Sequence, residues 1–72
     1  MSWDDELQTR LARDFSPAQE FTLDQVYGYE REFARLYPSN RHVRQKLRQT
    51  LQHLRDLDFL TFVDNNGLYR RK

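Results

Sequence analysis

Apolar residues recur at helical spacing in three stretches of the chain. In the first stretch, the apolar residues lie about one helical turn apart: Trp3, Leu7 and Leu11. Ser2 precedes them and acidic residues fill the first turn, as is typical of a helix N-terminus. The pattern predicts a first helix over about residues 3–13. It ends before Pro17, because the residue that precedes a proline disfavours the helical conformation.

The second stretch opens on a helix-start signal. Thr22 and Gln25 match the two positions of a capping box. Beyond them, the apolar residues share one side of a helix: Val26, Tyr29, Phe33 and Leu36. The pattern predicts a second helix over about residues 23–36, after a short extended segment at residues 20–22. Gly28 lies inside this helix at a cost of about 1 kcal/mol relative to alanine, which indicates close packing there.

The third stretch follows a short turn at residues 37–40. Its inward-facing residues fall within a narrow arc at about 100° per residue: Val43, Leu47, Thr50, Leu51, Leu54 and Leu57. They predict a third helix over about residues 41–57 with this face against the core. A turn this short between two helices is typical of a helix-turn-helix.

The last stretch has the pattern of a β-hairpin. Two runs of strand-forming residues flank Asn66-Gly67, the favoured pair for a two-residue type I′ turn. They predict a hairpin over about residues 59–71, in which Asp64 lies opposite Tyr69. The inward face of this hairpin is then Leu60, Phe62 and Tyr69, and Thr61, Val63 and Arg70 point the other way.

The predicted elements follow the order of a winged helix. The sequence therefore predicts an α+β fold, a small winged helix with three helices, a helix-turn-helix and a C-terminal hairpin wing. With 72 residues, we expect a single domain over residues 1–72. Its one Trp, four Tyr and five Phe allow a small core to bury more area per residue.

Composition and motifs exclude several classes of function. The chain has no cysteine, which excludes disulfides and thiolate metal sites. No apolar run approaches the length of a membrane span and no signal peptide is visible, so we expect a cytoplasmic protein without membrane contact. His42 and His53 are not spaced as metal ligands, and no nucleophile lies beside a base. We therefore expect no metal, no cofactor and no catalytic residue.

Charge is distributed unevenly along the chain. Residues 1–36 carry eight acids against four arginines, and residues 37–72 carry three acids against eight Lys and Arg. No Asp or Glu occurs from Phe33 to Arg55. This asymmetry indicates a basic side that suits nucleic acid, although two solvated faces that neutralise each other would give the same count.

The polar face of the third helix has the chemistry of a DNA-recognition helix. Arg pairs with guanine and with phosphate, and Asn or Gln pairs with adenine. Base contacts usually come from the N-terminal part of such a helix. The candidate DNA-binding residues are Asn40, Arg41, His42, Arg44, Gln45, Arg48, Gln49 and Gln52, with Asn65, Asn66 and Arg70 on the wing.

Other interpretations of these residues stay open at the sequence level. A polar helix face is often merely solvated, and Asn40 is also a plausible N-cap. Arg48 and Arg55 have candidate partners within the fold. These are the acids Asp24, Asp56 and Glu30.

Four motifs make the sequence similar to a known family. They are F-T-L-x-x-V-Y at residues 21–27, Y-P-x-N at 37–40, K-L-R-Q-x-L-Q-x-L-R-D at 46–56 and G-x-Y-R at 67–70. With Trp3 ahead of the first helix, they resemble the winged-helix domain at the C-terminal end of DpnI-type, Dam-replacing restriction endonucleases. The resemblance covers nearly the whole chain. One departure is Asp58, which stands where the family usually has a glycine at the end of the recognition helix.

The resemblance implies a module that binds double-stranded DNA. In DpnI-type enzymes this domain senses N6-methyladenine in GATC beside a separate nuclease domain, and related readers are attached to other nucleases. The first hypothesis is therefore a monomeric reader of adenine-methylated duplex DNA in a prokaryotic restriction-modification system, with a nuclease domain in cis or in trans. The alternatives are a protein–protein docking or dimerisation module that uses the acidic half, and a small sequence-specific transcriptional repressor.

Overall fold

The computed structural model describes residues 2–72 as four helices and a small antiparallel sheet. The elements in chain order are α1 Trp3–Asp14, β1 Glu20–Thr22, α2 Leu23–Tyr27, α3 Glu30–Leu36, α4 Val43–Asp56, β2 Leu60–Phe62 and β3 Leu68–Arg71. The strands lie in the order β1-β3-β2, and both pairings are antiparallel. This arrangement confirms the predicted α+β winged helix.

The predicted single helix over residues 23–36 is wrong, because Gly28 and Tyr29 divide it into α2 and α3. At this point the backbone tightens, and Tyr29 N donates to Val26 O at 3.0 Å. A Cβ at position 28 would lie only 3.0 Å from the carbonyl oxygen of Gln25, so glycine permits the tight turn. The capping box that begins α2 is present: Gln25 N donates to the Thr22 hydroxyl, and Thr22 N donates to the Gln25 side chain.

Helix α4 begins later than predicted and ends in a left-handed residue. Asn40 Oδ1 accepts a hydrogen bond from His42 N at 2.7 Å, so the chain turns before the helix starts at Val43. At the other end, Phe59 N donates to Leu54 O and Asp58 N to Arg55 O, both at 2.9 Å. This is a Schellman motif, and Asp58 occupies its left-handed position with a φ of 67°.

The hairpin turn differs from the predicted two-residue type I′ turn. A type I′ turn needs two central residues with positive φ, and across residues 64–67 only Gly67 has one, at 93°. Val63 N donates to Leu68 O, and Asp64 Oδ1 accepts from Asn66 N at 2.9 Å and from Leu68 N at 3.0 Å. Residues 64–67 therefore form a longer loop that the Asp64 carboxylate holds together.

The longer loop moves the strand register without changing which side chains face the core. Phe62, rather than the predicted Asp64, lies opposite Tyr69. Side chains alternate between the two faces of a strand, so a shift of two positions preserves the inward face. Leu60 and Tyr69 are accordingly buried. On its other edge β3 pairs with β1, where Phe21 lies opposite Tyr69.

The core joins α4 to α1 and to the sheet. Leu47, Leu51 and Leu54 of α4 are fully buried, as the periodicity predicted. Leu57 was predicted on the same face, but it is 66% exposed because α4 ends at Asp56 and the chain turns away. Trp3 stacks on Phe33 with ring centroids 4.8 Å apart, which attaches the start of α1 to α3. Among the described residues, no helix is long and apolar enough to cross a membrane.

Candidate nucleic-acid interface

The outward face of α4 is exposed and carries no acidic residue before Asp56 at its C-terminal end. Burial of the apolar stripe leaves Gln45, Arg48, Gln49 and Gln52 in solvent. Arg41 and His42, immediately before the helix, are exposed as well. The side chain of His42 makes no capping hydrogen bond, although His42 is the N-cap residue of α4.

An open groove of about 560 Å³ follows the N-terminal half of α4. It is lined by Ser39, Asn40, Arg41, His42, Gln45, Lys46 and Gln49. The structure therefore brings together most of the candidates from the start of the predicted recognition helix. Ser39 and Lys46 were not among the residues predicted from the sequence. The spacing of Lys46 from His42, four positions on a helix, was the available signal.

Asn40 and Arg44 are both engaged within the fold. The Asn40 side chain is turned back on the backbone of His42, so its Oδ1 is already used within the fold. Arg44 Nε lies 3.0 Å from Glu30 Oε1, and its guanidinium lies over the Tyr27 ring at 4.7 Å. The hydrogen bond to Glu30 is the main cause that raises the pKa of Arg44.

Arg48 and Arg55 differ in whether they pair with an acid within the fold, a question that the sequence left open. Arg48 forms no ion pair with any residue from 2 to 72. Arg55 Nε lies 3.3 Å from Asp56 Oδ1, and its guanidinium stacks on Phe62 at 4.6 Å. Arg48 therefore stays available for a ligand, whereas Arg55 packs the end of α4 against the sheet.

A second concavity of about 340 Å³ separates α4 from the wing. Arg48 and Gln52 form its helix side, Asn65 and Asn66 lie on the loop side, and Tyr69 is among the lining side chains. Desolvation raises the pKa of the Tyr69 hydroxyl, and the charge of Arg48 acts against this shift. The predicted wing-tip asparagines thus lie across this cleft from α4.

Arg70 of the central strand β3, in contrast, is held by an ion pair to the edge strand β1. Its Nη2 lies 3.0 Å from Glu20 Oε2 of β1. The neighbouring Arg71 donates from Nη1 to the Phe15 carbonyl oxygen at 2.7 Å. The structure therefore does not bring Arg70 together with the candidates on α4.

Comparison with protein families shows which family the chain belongs to. The model of the Dam-replacing HTH domain, the DpnI C-terminal family, matches residues 12–71. The chain belongs to this family. The resemblance seen in the sequence motifs is thereby confirmed. As a Dam-replacing HTH domain, the chain is a DNA-binding helix-turn-helix module, and double-stranded DNA is its partner.

The helix-turn-helix of this Dam-replacing HTH domain consists of α2 and α3, the turn at residues 37–42, and α4. The second helix of such a motif enters the major groove, and its N-terminal residues contact base edges. That position corresponds to the groove beside Gln45 and Gln49. Within residues 2–72, the structure gathers no group of three or more His, Cys, Asp or Glu side chains that could hold a metal ion.

Proposed function

We propose that this Dam-replacing HTH domain reads N6-methyladenine in GATC-like duplex DNA for a restriction system. The observation that carries the proposal is the acid-free, exposed groove at the start of α4, where Gln45 and Gln49 lie beside His42 and Arg41. The family supplies duplex DNA as the ligand. The side chains of this groove supply the means of reading adenine.

The hydrogen-bonding groups of N6-methyladenine limit which contacts Gln45 and Gln49 can make. Adenine presents an N7 acceptor and an N6 donor in the major groove, and a glutamine amide can bind both. Methylation replaces the N6 donor that faces the groove with an apolar group. Gln45 or Gln49 can then still donate to N7, but its carbonyl oxygen loses its partner. A methyl reader therefore needs an apolar or aromatic surface next to the glutamine.

The ring of His42 is the aromatic group among the groove-lining residues. It lies three positions before Gln45 and makes no capping hydrogen bond, so it is available to contact a base. In our proposal the imidazole face packs against the methyl group, and Gln45 or Gln49 donates to N7. Arg41 and Arg48 bind phosphates on either side and add affinity without sequence preference.

Binding titrations on matched duplexes test this function. We expect fully methylated GATC to bind about tenfold or more tightly than unmethylated GATC, at two salt concentrations, because a well-placed base contact discriminates by about 1–3 kcal/mol. Replacing His42 with alanine should reduce that ratio while leaving the salt dependence unchanged. Equal affinity of the wild type for the two duplexes would exclude methyl reading, and binding that does not depend on salt would argue against phosphate contacts.

The proposed module performs recognition and leaves DNA cleavage to a nuclease domain in cis or in trans. It binds as a monomer in this scheme, because a GATC site fits the single recognition helix. Sedimentation of the chain with and without a methylated duplex tests this stoichiometry. A complex with two chains per duplex would instead favour reading by a dimer, as in a repressor.

A further inference from the structure

Arg44 is the candidate DNA-binding arginine of α4 that pairs with an acidic side chain within the fold. It lies in the first turn of α4, between buried Val43 and exposed Gln45. Its guanidinium is fixed by the ion pair to Glu30 on α3 and by the Tyr27 ring beneath it. Both members of the ion pair are accessible, with 61% and 41% of their side chains exposed. A phosphate could therefore reach Arg44 and compete with Glu30.

The pair lies where a DNA strand is expected to pass. In a helix-turn-helix the first helix crosses the DNA backbone while the second occupies the major groove. Glu30 is the first residue of α3, which ends that first helical segment, and Arg44 lies in the first turn of the second helix, α4. The ion pair thus bridges the two elements that border the same strand. A carboxylate at this position opposes a phosphate as well as neutralising the arginine.

The neighbouring arginines have no such restraint. Arg41 and Arg48 pair with no acidic side chain among residues 2–72. Each can release one counterion from DNA, which gives both affinity and salt dependence. Arg44 in its pair with Glu30 adds no net charge, so it contributes little to either quantity.

We propose that Glu30 withholds Arg44 from the DNA backbone and so limits the sequence-independent affinity of this domain. The inference rests on duplex binding through α4 and does not require methyl reading. Its consequence is selectivity against bulk DNA. A contact to phosphate strengthens binding to every sequence equally, whereas contacts to bases discriminate between sequences. When phosphate contacts contribute less to the binding free energy, base contacts account for a larger share of the total affinity for DNA.

The experiment compares Glu30→Gln with Glu32→Gln in the full chain. Glu32 lies on the same helix but pairs with Arg10 of α1, so its replacement changes the charge equally without releasing Arg44. Each variant is titrated with methylated GATC, unmethylated GATC and a duplex without GATC over a salt series. Both replacements keep a hydrogen-bond acceptor, so we expect the fold to be retained. Thermal unfolding of each variant checks this.

We expect Glu30→Gln to tighten binding of all three duplexes about threefold, the scale of an exposed ion pair. The slope of log K against log salt should steepen by about 0.9, the value for one additional phosphate contact. Glu32→Gln should change neither quantity appreciably. In an Arg44→Ala background, Glu30→Gln should lose most of its effect, because there is no arginine to release.

Three results would overturn the inference. They are an equal gain from Glu32→Gln, an undiminished gain in the Arg44→Ala background, and a gain confined to one duplex. If the wild type and Glu30→Gln show no salt-dependent binding to any duplex, duplex binding through α4 fails together with the inference. Equal binding of methylated and unmethylated GATC by the wild type excludes methyl reading alone, and the comparison of the two glutamate variants still decides the role of Glu30.

Discussion

The outward face of α4 and the wing use their polar side chains in opposite ways. On and just before α4, Arg41 and Arg48 are exposed and pair with no acid within the described part of the chain. On the wing, Asp64 holds the loop through two backbone hydrogen bonds, and Arg70 is paired with Glu20. The wing loop at residues 64–67 has no apolar side chain, so its own polar groups hold its structure. The long helix is held by its buried leucines, which leaves its polar groups for a ligand.

Removing arginines from each region is the strongest test of this difference between α4 and the wing. Arg41→Ala combined with Arg48→Ala should lower affinity for duplex DNA about 30-fold or more, with a salt slope about 1.8 smaller in magnitude, because two phosphate contacts are lost. Fluorescence anisotropy over a salt series measures both. Arg70→Ala is the matched control and should cost less than about threefold. Equal losses would show that the wing contributes as much as α4.

For stability, unlike DNA affinity, we expect replacements in the wing to matter more than replacements on the outward face of α4. Asp64→Ala removes the acceptor of two backbone hydrogen bonds in the wing loop and should lower the free energy of unfolding by about 1–2 kcal/mol. Asp64→Asn keeps an acceptor oxygen and should lose less in chemical denaturation. DNA affinity should change little in either variant. An Asp64→Ala protein as stable as the wild type would contradict the structural role of this carboxylate.

The junction between α4 and the wing allows a gain in stability. Asp58 holds a left-handed conformation that glycine adopts without steric cost, so Asp58→Gly should raise the free energy of unfolding by about 1 kcal/mol. Its exposed ion pair with Lys72 contributes little against this gain. Ala18, with a φ of 70°, offers a second site, where Ala18→Gly should act in the same direction. If neither variant unfolds at higher denaturant than the wild type, left-handed strain is not a cost in this fold.

The smallest expected effect concerns the scaffold away from both regions. Hydrogen bonds from Arg13 and from the Tyr29 hydroxyl lower the pKa of Asp14 from 3.8 to about 2. A depressed pKa stabilises the fold above the unfolded value, and this contribution is lost as the pH falls from about 4 to about 2. Asp14→Asn should therefore melt below the wild type at pH 5, and the difference should shrink toward pH 2. A difference that stays constant with pH would contradict this, and Asp5→Asn serves as an exposed control.

Local signals in the sequence predicted the parts of the fold that depend on neighbours along the chain. The Thr22–Gln25 capping box, the buried stripe of α4 and the inward face of the hairpin all follow from spacing over a few residues. The inward face of the hairpin was predicted correctly although the turn was not. Alternation along a strand depends only on whether the register shift is an even or an odd number of residues. Asp58 stands where the similar family usually has glycine, and the structure finds the left-handed conformation at this same position.

Features that depend on distant contacts were not predictable in the same way. The break between α2 and α3 at Gly28 was not visible in the sequence, because the apolar periodicity continues across it from Val26 to Phe33. The short segment at residues 20–22 became a sheet strand because Phe21 lies opposite Tyr69, far along the chain. The acids suggested as partners for Arg48 included Glu30, which instead pairs with Arg44.

The sequence by itself determined which face of α4 points outward and what chemistry that face offers, because burial of a leucine stripe fixes the opposite side of a helix. Only the tertiary structure decided which arginines on and around that face remain available. Ion pairs such as Arg44–Glu30 and Arg70–Glu20 join residues that are far apart in sequence. Their partners depend on the distances between packed elements, and an exposed pair contributes too little energy to direct the packing itself.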